Sequence, residues 1–184
     1  MVRRVTLLRM AIAGVRITGL CAHLDERGSF SEIFRATWVD TDFVQWNCVH
    51  SRESVLRGVH AHVRHSDYLV LLQGSALIGM KDLRRDSPTA NRTELIELTA
   101  DNPQGLRIPP GVAHGFYFGE PSLHVYAVSS YWDPDDELGC RWDDPGLGIQ
   151  WPIASATISG RDAALPPYGV FEAAVNSALP TLVL

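Results

Sequence analysis

Cysteine is scarce in this chain. Cys21, Cys48 and Cys140 are the three among 184 residues. They are odd in number, widely scattered and form no C-x-x-C pair, which argues against a disulfide scaffold or a cysteine metal knuckle and fits a reducing compartment. Long apolar runs are also missing. The stretch Met10-Ala11-Ile12-Ala13-Gly14-Val15 is broken by Arg16. It is too short for a membrane span, and no convincing signal peptide precedes it, so the expected location is the cytoplasm. Excess positive charge is absent: 16 Lys and Arg against 21 Asp and Glu give a net charge of −5. No overall field attracts nucleic acid, and an anionic ligand must be met by local arginines. Helical signals are sparse, and there is no repeat or low-complexity segment.

Strand signals are plentiful. Val15–Leu24, Ser31–Trp38, Tyr68–Leu72, Ser75–Lys81, Glu94–Leu98, Leu106–Ile108, Gly115–Phe118 and Leu123–Ser129 are short runs divided by Gly, Pro, Asn or Asp. Many short strands at this spacing predict an all-β sandwich or barrel. Asp133–Leu138 reads as a single helical turn, with Pro134 at its first position and Asp133 as its cap. The tail from Phe171 could pack as a helix or a strand. Residues 1–9 read as a disordered extension before a natural start at Met10, leaving 10–184 as one domain.

Two segments carry the chemistry. Leu56-Arg57-Gly58-Val59-His60-Ala61-His62 and Ile108-Pro109-Pro110-Gly111-Val112-Ala113-His114 offer three histidines from β-rich stretches. Histidine titrates near neutrality, so a cluster of them in a pocket suggests proton transfer or metal binding.

These segments belong to an ordered series. It runs through Asp25-Glu26-Arg27-Gly28-Ser29-Phe30-Ser31-Glu32, Phe43-Val44-Gln45-Trp46-Asn47, the Arg57-Gly58-Val59-His60 segment, Asp82-Leu83-Arg84 with Ser87-Pro88-Thr89, the Pro-Gly-His segment, and Tyr131-Trp132-Asp133-Pro134. It closes with Trp142-Asp143-Asp144-Pro145, Gly148-Ile149-Gln150-Trp151-Pro152 and Ser159-Gly160-Arg161-Asp162. From about Asp25 to about Tyr168 the chain resembles the nucleotide-sugar 3,5-epimerases of the RmlC-like cupin family. The resemblance implies a cupin jelly roll (a double-stranded β-helix barrel) with short peripheral helical turns. It also implies a cofactor-free epimerase that inverts C3, C5 or both of a nucleotide-linked, dTDP-type 4-keto-6-deoxy sugar through an enolate.

The same resemblance implies residue roles. His60 is the base, Asp162 the carboxylate behind it, and Tyr126 the acid on the opposite face. Arg57 and Arg27 are candidates for the diphosphate, where guanidinium meets phosphate bidentately. Gln45 and Asn47 match substrate contacts, Trp132 a residue stacking on the base, and Glu137 a nearby polar contact; His62 and His114 join this binding set. Phe30 and Glu32 match residues that reach a neighbouring subunit's nucleotide, which implies a homodimer.

Two departures complicate this reading. Asp67 stands where relatives usually carry a lysine, and Ile78 where many have an aspartate. With Asp67 in place, His60, His62, Asp67 and His114 come close to a cupin metal signature. On one strand His60 and His62 share a side, and three histidines with a carboxylate suit a divalent first-row metal. A ligated His60 could not also be the free base. Arg57-Gly58-Val59-His60-Ala61-His62 is also similar to a motif of the nucleotide-sugar 3,4-ketoisomerases, in which His62 would be a catalytic partner. A non-catalytic sugar-binding cupin is the remaining alternative.

Overall fold

The strand-forming stretches fold into two facing antiparallel sheets in a computed structural model that describes residues 7–179. The strands are β1 (Leu7–Arg9), β2 (Arg16–Gly19), β3 (Ala22–Asp25), β4 (Gly28–Ser31), β5 (Gln45–Ser51), β6 (Val55–Ala61) and β7 (Asp67–Gln73). They continue with β8 (Ser75–Asp82), β9 (Thr93–Thr99), β10 (Gln104–Ile108), β11 (Val112–Phe118), β12 (Ser122–Val128) and β13 (Leu138–Gly139). One sheet has the order β1-β2-β10-β7-β12-β5, the other β13-β6-β11-β8-β9, and β3 and β4 form a separate hairpin. This is the expected jelly roll.

The apolar residues that alternate toward the interior fill one end of the space between the sheets. Ile17, Leu69, Leu71, Leu106 and Ile108 from the first sheet meet Ala76, Ile78, Met80, Val112 and Phe118 from the second. Ile78, the departure from the family's aspartate, is fully buried here. Both outer faces are covered. Leu20, Ile33, Phe34, Val39 and Phe43 pack on Tyr68 and Val70 of β7, and the Tyr68 hydroxyl donates to the Ile33 carbonyl. On the other side, Phe171 and Val175 of helix α2 (Tyr168–Ala178) pack with Val59, Ala61 and Ala113. Strand β7 is therefore buried on both faces and loses the usual alternation.

Three local expectations change. Ser31–Trp38 is not a strand. The chain turns back at Gly28 into β4, then crosses the sheet through a 3-10 turn at Ala36–Trp38, because the aromatic side chains there serve as a lid on β7. Val15–Leu24 divides into β2 and β3. Leu7–Arg9, placed in the disordered extension, pairs with β2 instead, while residues 1–6 lie outside the described residues. The turn at Pro134–Asp136 forms as expected, with the Asp133 side chain accepting from the Asp135 N–H. Ser87, Thr89 and Arg84 all donate to the buried Asp82 carboxylate, so this part of the motif series secures the β8–β9 turn.

One irregularity positions the chemistry. His60 pairs with His114 across β6 and β11, yet Arg57 pairs with Phe116. Gly58 and Val59 of β6 thus oppose the single Gly115 of β11, which is a β-bulge. The extra residue restores Arg57 to the face that His60 uses; regular alternation would put the two on opposite faces. Gly58 makes this feasible. Its φ is +105°, and a Cβ there would stand 2.8 Å from the His114 carbonyl oxygen. We expect Gly58→Ala to lower stability by roughly 2 kcal/mol or more, since backbone strain and a backbone clash coincide. Urea unfolding measures this, and a loss below about 0.5 kcal/mol, the level of an ordinary surface change, would show that the bulge relaxes without glycine.

Candidate active site

The other end of the space between the sheets is a cavity of about 270 Å³. The first sheet supplies Asn47 and Val49 of β5, Leu69 of β7, and His124 and Tyr126 of β12, while the second supplies Arg57, His60 and His114. Trp132 and Glu137 approach from the stretch after β12, and Arg161 from the short helical turn at 160–163. Period-two alternation accounts for most of this set: Gln45, Asn47 and Val49 turn inward from β5, while Trp46, Cys48 and His50 turn outward.

His60 and Tyr126 occupy opposite walls, because they belong to different sheets. Behind His60 lies Asp162, carried by the short helix α1 (Gly160–Ala163), whose cap is Ser159. His60 Nε2–H donates to Asp162 Oδ1 at 2.8 Å, leaving the lone pair of neutral imidazole on Nδ1. The Gly58 N–H lies 3.5 Å from Asp162 Oδ2, so one carboxylate holds both the imidazole and the bulge. Burial alone would raise the Asp162 pKa, but the hydrogen bond and charge of His60, with the Gly58 N–H, outweigh it and hold the group below the usual carboxylate range. Tyr126 is shifted upward, first by burial and then by Asp67 and Glu137, so its hydroxyl stays protonated near neutrality.

Next to the dyad is a second histidine group. His62 Nδ1 donates to the Asp136 carbonyl at 3.2 Å, and His114 Nδ1 to the Val112 carbonyl at 3.1 Å. Asp67 Oδ2 is 3.8 Å from Nε2 of each. Burial, then Glu137 and Asp136, push the Asp67 carboxyl well above its ordinary value. Burial and the neighbouring His65, against Glu137, bring His62 down to about 4. His65 stacks on His62 with ring centroids 4.1 Å apart. The four-ligand metal set is therefore corrected: His62, Asp67 and His114 converge, whereas His60 is engaged by Asp162.

The binding candidates divide. Arg57, Asn47, Trp132 and Glu137 line the cavity. Arg57 is held by the Ser51 hydroxyl at 3.0 Å and the His50 carbonyl, and Glu137 pairs with Arg161 at 3.1 Å. Gln45 stands just behind them, accepting from the Trp132 N–H and donating to Asn47. Arg27, Phe30 and Glu32 do not line this cavity. Arg27 pairs with Asp25 on the exposed hairpin, Glu32 with Arg35, and Phe30 is 64% exposed. Sequence reasoning missed Arg161 and His124. The signals were available, since Arg161 adjoins Asp162 and His124 lies two residues before Tyr126 on one strand.

The arrangement defines a class: a jelly-roll protein in which a carboxylate-backed histidine faces a protonated tyrosine across a small cavity, suited to moving protons on two faces of one molecule. Within it, the chain belongs to the dTDP-4-dehydrorhamnose 3,5-epimerase family, whose sequence model matches residues 9–169. The dTDP-4-dehydrorhamnose 3,5-epimerase of Neisseria gonorrhoeae is 34% identical over 84% of this chain, which spans 50% of that relative. That of Salmonella typhimurium is 32% identical over 86% of this chain and 93% of its own length. The crystal structure of dTDP-6-deoxy-D-glucose-3,5-epimerase from Legionella pneumophila, in complex with dTDP-4-keto-L-rhamnose, superposes with a TM-score of 0.86 at 29% identity, covering 96% of this chain and 98% of that one.

The buried histidines make stability depend on pH. Burial, with Arg57 nearby, lowers His124 to about 4, against about 6.5 in an unfolded chain. Between those values the unfolded chain binds a proton that the folded chain refuses, so stability falls as pH drops from 6.5 toward 4. His62, also lowered to about 4, acts in the same direction. We expect His124→Phe to flatten this slope by about one proton taken up on unfolding. Urea titrations at several pH values would show it, and an unchanged slope would place the His124 titration elsewhere.

Proposed function

We propose that the protein is an epimerase of a dTDP-linked 4-keto-6-deoxy sugar, inverting C3, C5 or both. The observation that carries this reading is the His60–Asp162 dyad on one wall of the cavity with Tyr126 on the other.

The substrate's 4-carbonyl acidifies the neighbouring C–H bonds. His60 Nδ1 takes the proton, the C–H electron pair moves onto the 4-oxygen as an enolate, and Asp162 stabilises the imidazolium formed. The Tyr126 hydroxyl then delivers a proton to the opposite face of the same carbon as the carbonyl re-forms. Solvent restores the proton to tyrosine and removes it from histidine. A cavity of about 270 Å³ suits the sugar ring, and the nucleotide extends past the half-exposed Trp132. Arg57 and Arg161, both at the cavity, are the cations available to the diphosphate. The exposed hairpin with Leu24 and Phe30 supports a homodimer that shares this outer part of the site. Three unpaired cysteines support a cytoplasmic location, and no helix among the described residues is long and apolar enough to cross a membrane.

In deuterium oxide the enzyme will wash solvent deuterium into the sugar next to its carbonyl. His60→Asn will slow that exchange by about 10²–10⁴-fold, the usual worth of a general base, while dTDP affinity stays within a few fold, because the base acts on the transition state. Tyr126→Phe will retain exchange but lose inversion. NMR of the sugar follows both. Wild-type rates in His60→Asn would end this reading, as would failure of the wild-type protein to exchange any sugar proton.

A further inference from the structure

We infer that His124 recognises the hydroxyl at C2 of the sugar, next to the carbon that bears the diphosphate, and so sets which sugars the cavity accepts. This deepens the epimerase reading and rests on it. His124 is 3% exposed and lines the cavity. One of its ring nitrogens, Nδ1, is buried without a hydrogen-bond partner among the described residues. Buried polar atoms of folded proteins are nearly all paired, so an unpaired imidazole nitrogen on a cavity wall marks a place for a ligand atom. On β5 and β12 the other such nitrogen is Asn47 Nδ2, directly across from Tyr126.

Packing fixes where the ring stands. It stacks on the fully buried Phe118, with centroids 5.2 Å apart and planes 8° from parallel. The Tyr126 ring is 6.3 Å away. Residues 124 and 126 share a face of β12, so both side chains look into the cavity. The charged neighbour of His124 is Arg57, which after burial is the second cause holding the imidazole at about 4, so the ring is neutral near neutrality. Arg57 itself is exposed where it meets the cavity, and its guanidinium is held by a hydroxyl and a carbonyl rather than by a carboxylate.

These neighbours order the substrate. The diphosphate on C1 belongs with the exposed Arg57, and the reacting carbons C3 and C5 belong between His60 and Tyr126. The ring atoms that join C1 to those carbons are C2 and the ring oxygen. A neutral imidazole offers one donor and one acceptor. A hydroxyl matches both, whereas the ring oxygen only accepts. The C3 hydroxyl is a poorer partner, because it changes face when C3 inverts; the C2 hydroxyl keeps its configuration in substrate and product. The C6 methyl has nothing to pair with.

The test compares dTDP-4-keto-6-deoxyglucose with its 2-deoxy counterpart. Deuterium exchange next to the carbonyl gives kcat/KM for each, and the unreactive 4-hydroxy forms of both give affinities by calorimetry. We expect the wild-type protein to favour the 2-hydroxy sugar by about tenfold to a hundredfold, the worth of pairing a buried polar group. His124→Phe keeps the stack on Phe118 and removes both nitrogens. It will lose that advantage while its rate on the 2-deoxy sugar stays within about threefold of wild type, because only the hydroxyl contact is gone. Where the variant does not fold, the wild-type preference decides. Equal rates and affinities for the two sugars in the wild-type protein would overturn the contact, as would an unchanged preference in folded His124→Phe. Exchange of neither keto sugar, with the affinity preference intact and lost in His124→Phe, would remove the epimerase reading and keep the contact. Equal exchange and equal affinity for both would do the reverse.

Discussion

One extra residue in β6 sets the geometry on which the rest depends. In regular pairing Arg57 and His60 would point to opposite faces, one toward the cavity and one toward α2. The bulge between them turns both inward. Only a residue without a side chain fits at Gly58, where the backbone passes close to the His114 carbonyl. Asp162 joins this arrangement from a distant part of the chain. Its two oxygens reach the His60 ring and the Gly58 N–H, so the group that orients the imidazole also steadies the bend presenting it. A change at Asp162 therefore acts on the imidazole and on the bend together.

Hydrogen bonding then divides the histidines by chemistry. His60 gives its Nε2–H to a carboxylate, which leaves the Nδ1 lone pair free. His62 and His114 give Nδ1–H to carbonyls, which leaves Nε2 directed at Asp67. His60 is thus separated from the other two histidines by its partner and by the ring nitrogen it leaves bare. Across the cavity, Tyr126 remains protonated because burial and the carboxyl groups of Asp67 and Glu137 all disfavour its anion. A base on one wall and a proton donor on the other is what inversion of a carbon centre requires.

Much of this was legible in the sequence because it followed from local periodicity or ordered motifs. The short strands announced a sandwich or barrel, which the family resemblance narrowed to a jelly roll; the Asp133-Pro134 pair announced its turn, and the resemblance put Asp162 behind His60. The bulge was not legible, since two residues three apart give no hint that they share a face. Ser31–Trp38 looked like a strand because its aromatic and β-branched residues fit a sheet equally well as a cover over one. Arg27, Phe30 and Glu32 lie on a hairpin outside this chain's cavity, where a neighbouring subunit rather than local packing would have to give them a ligand. Asp67 misled in a different way. Its spacing suggested four metal ligands, but in the fold only His62, Asp67 and His114 converge, and His60 stands apart with Asp162, 102 residues away in the chain.

The most direct test of the account is the protonation pattern of the imidazole nitrogens, read by long-range ¹H–¹⁵N NMR of histidine-labelled protein near neutral pH. The account predicts that His60 carries its hydrogen on Nε2 with Nδ1 bare, while His62 and His114 show the opposite pattern. A His60 ring protonated on Nδ1 alone, or one that keeps the Nε2–H pattern unchanged in Asp162→Asn, would contradict the claim that Asp162 prepares His60 as the base.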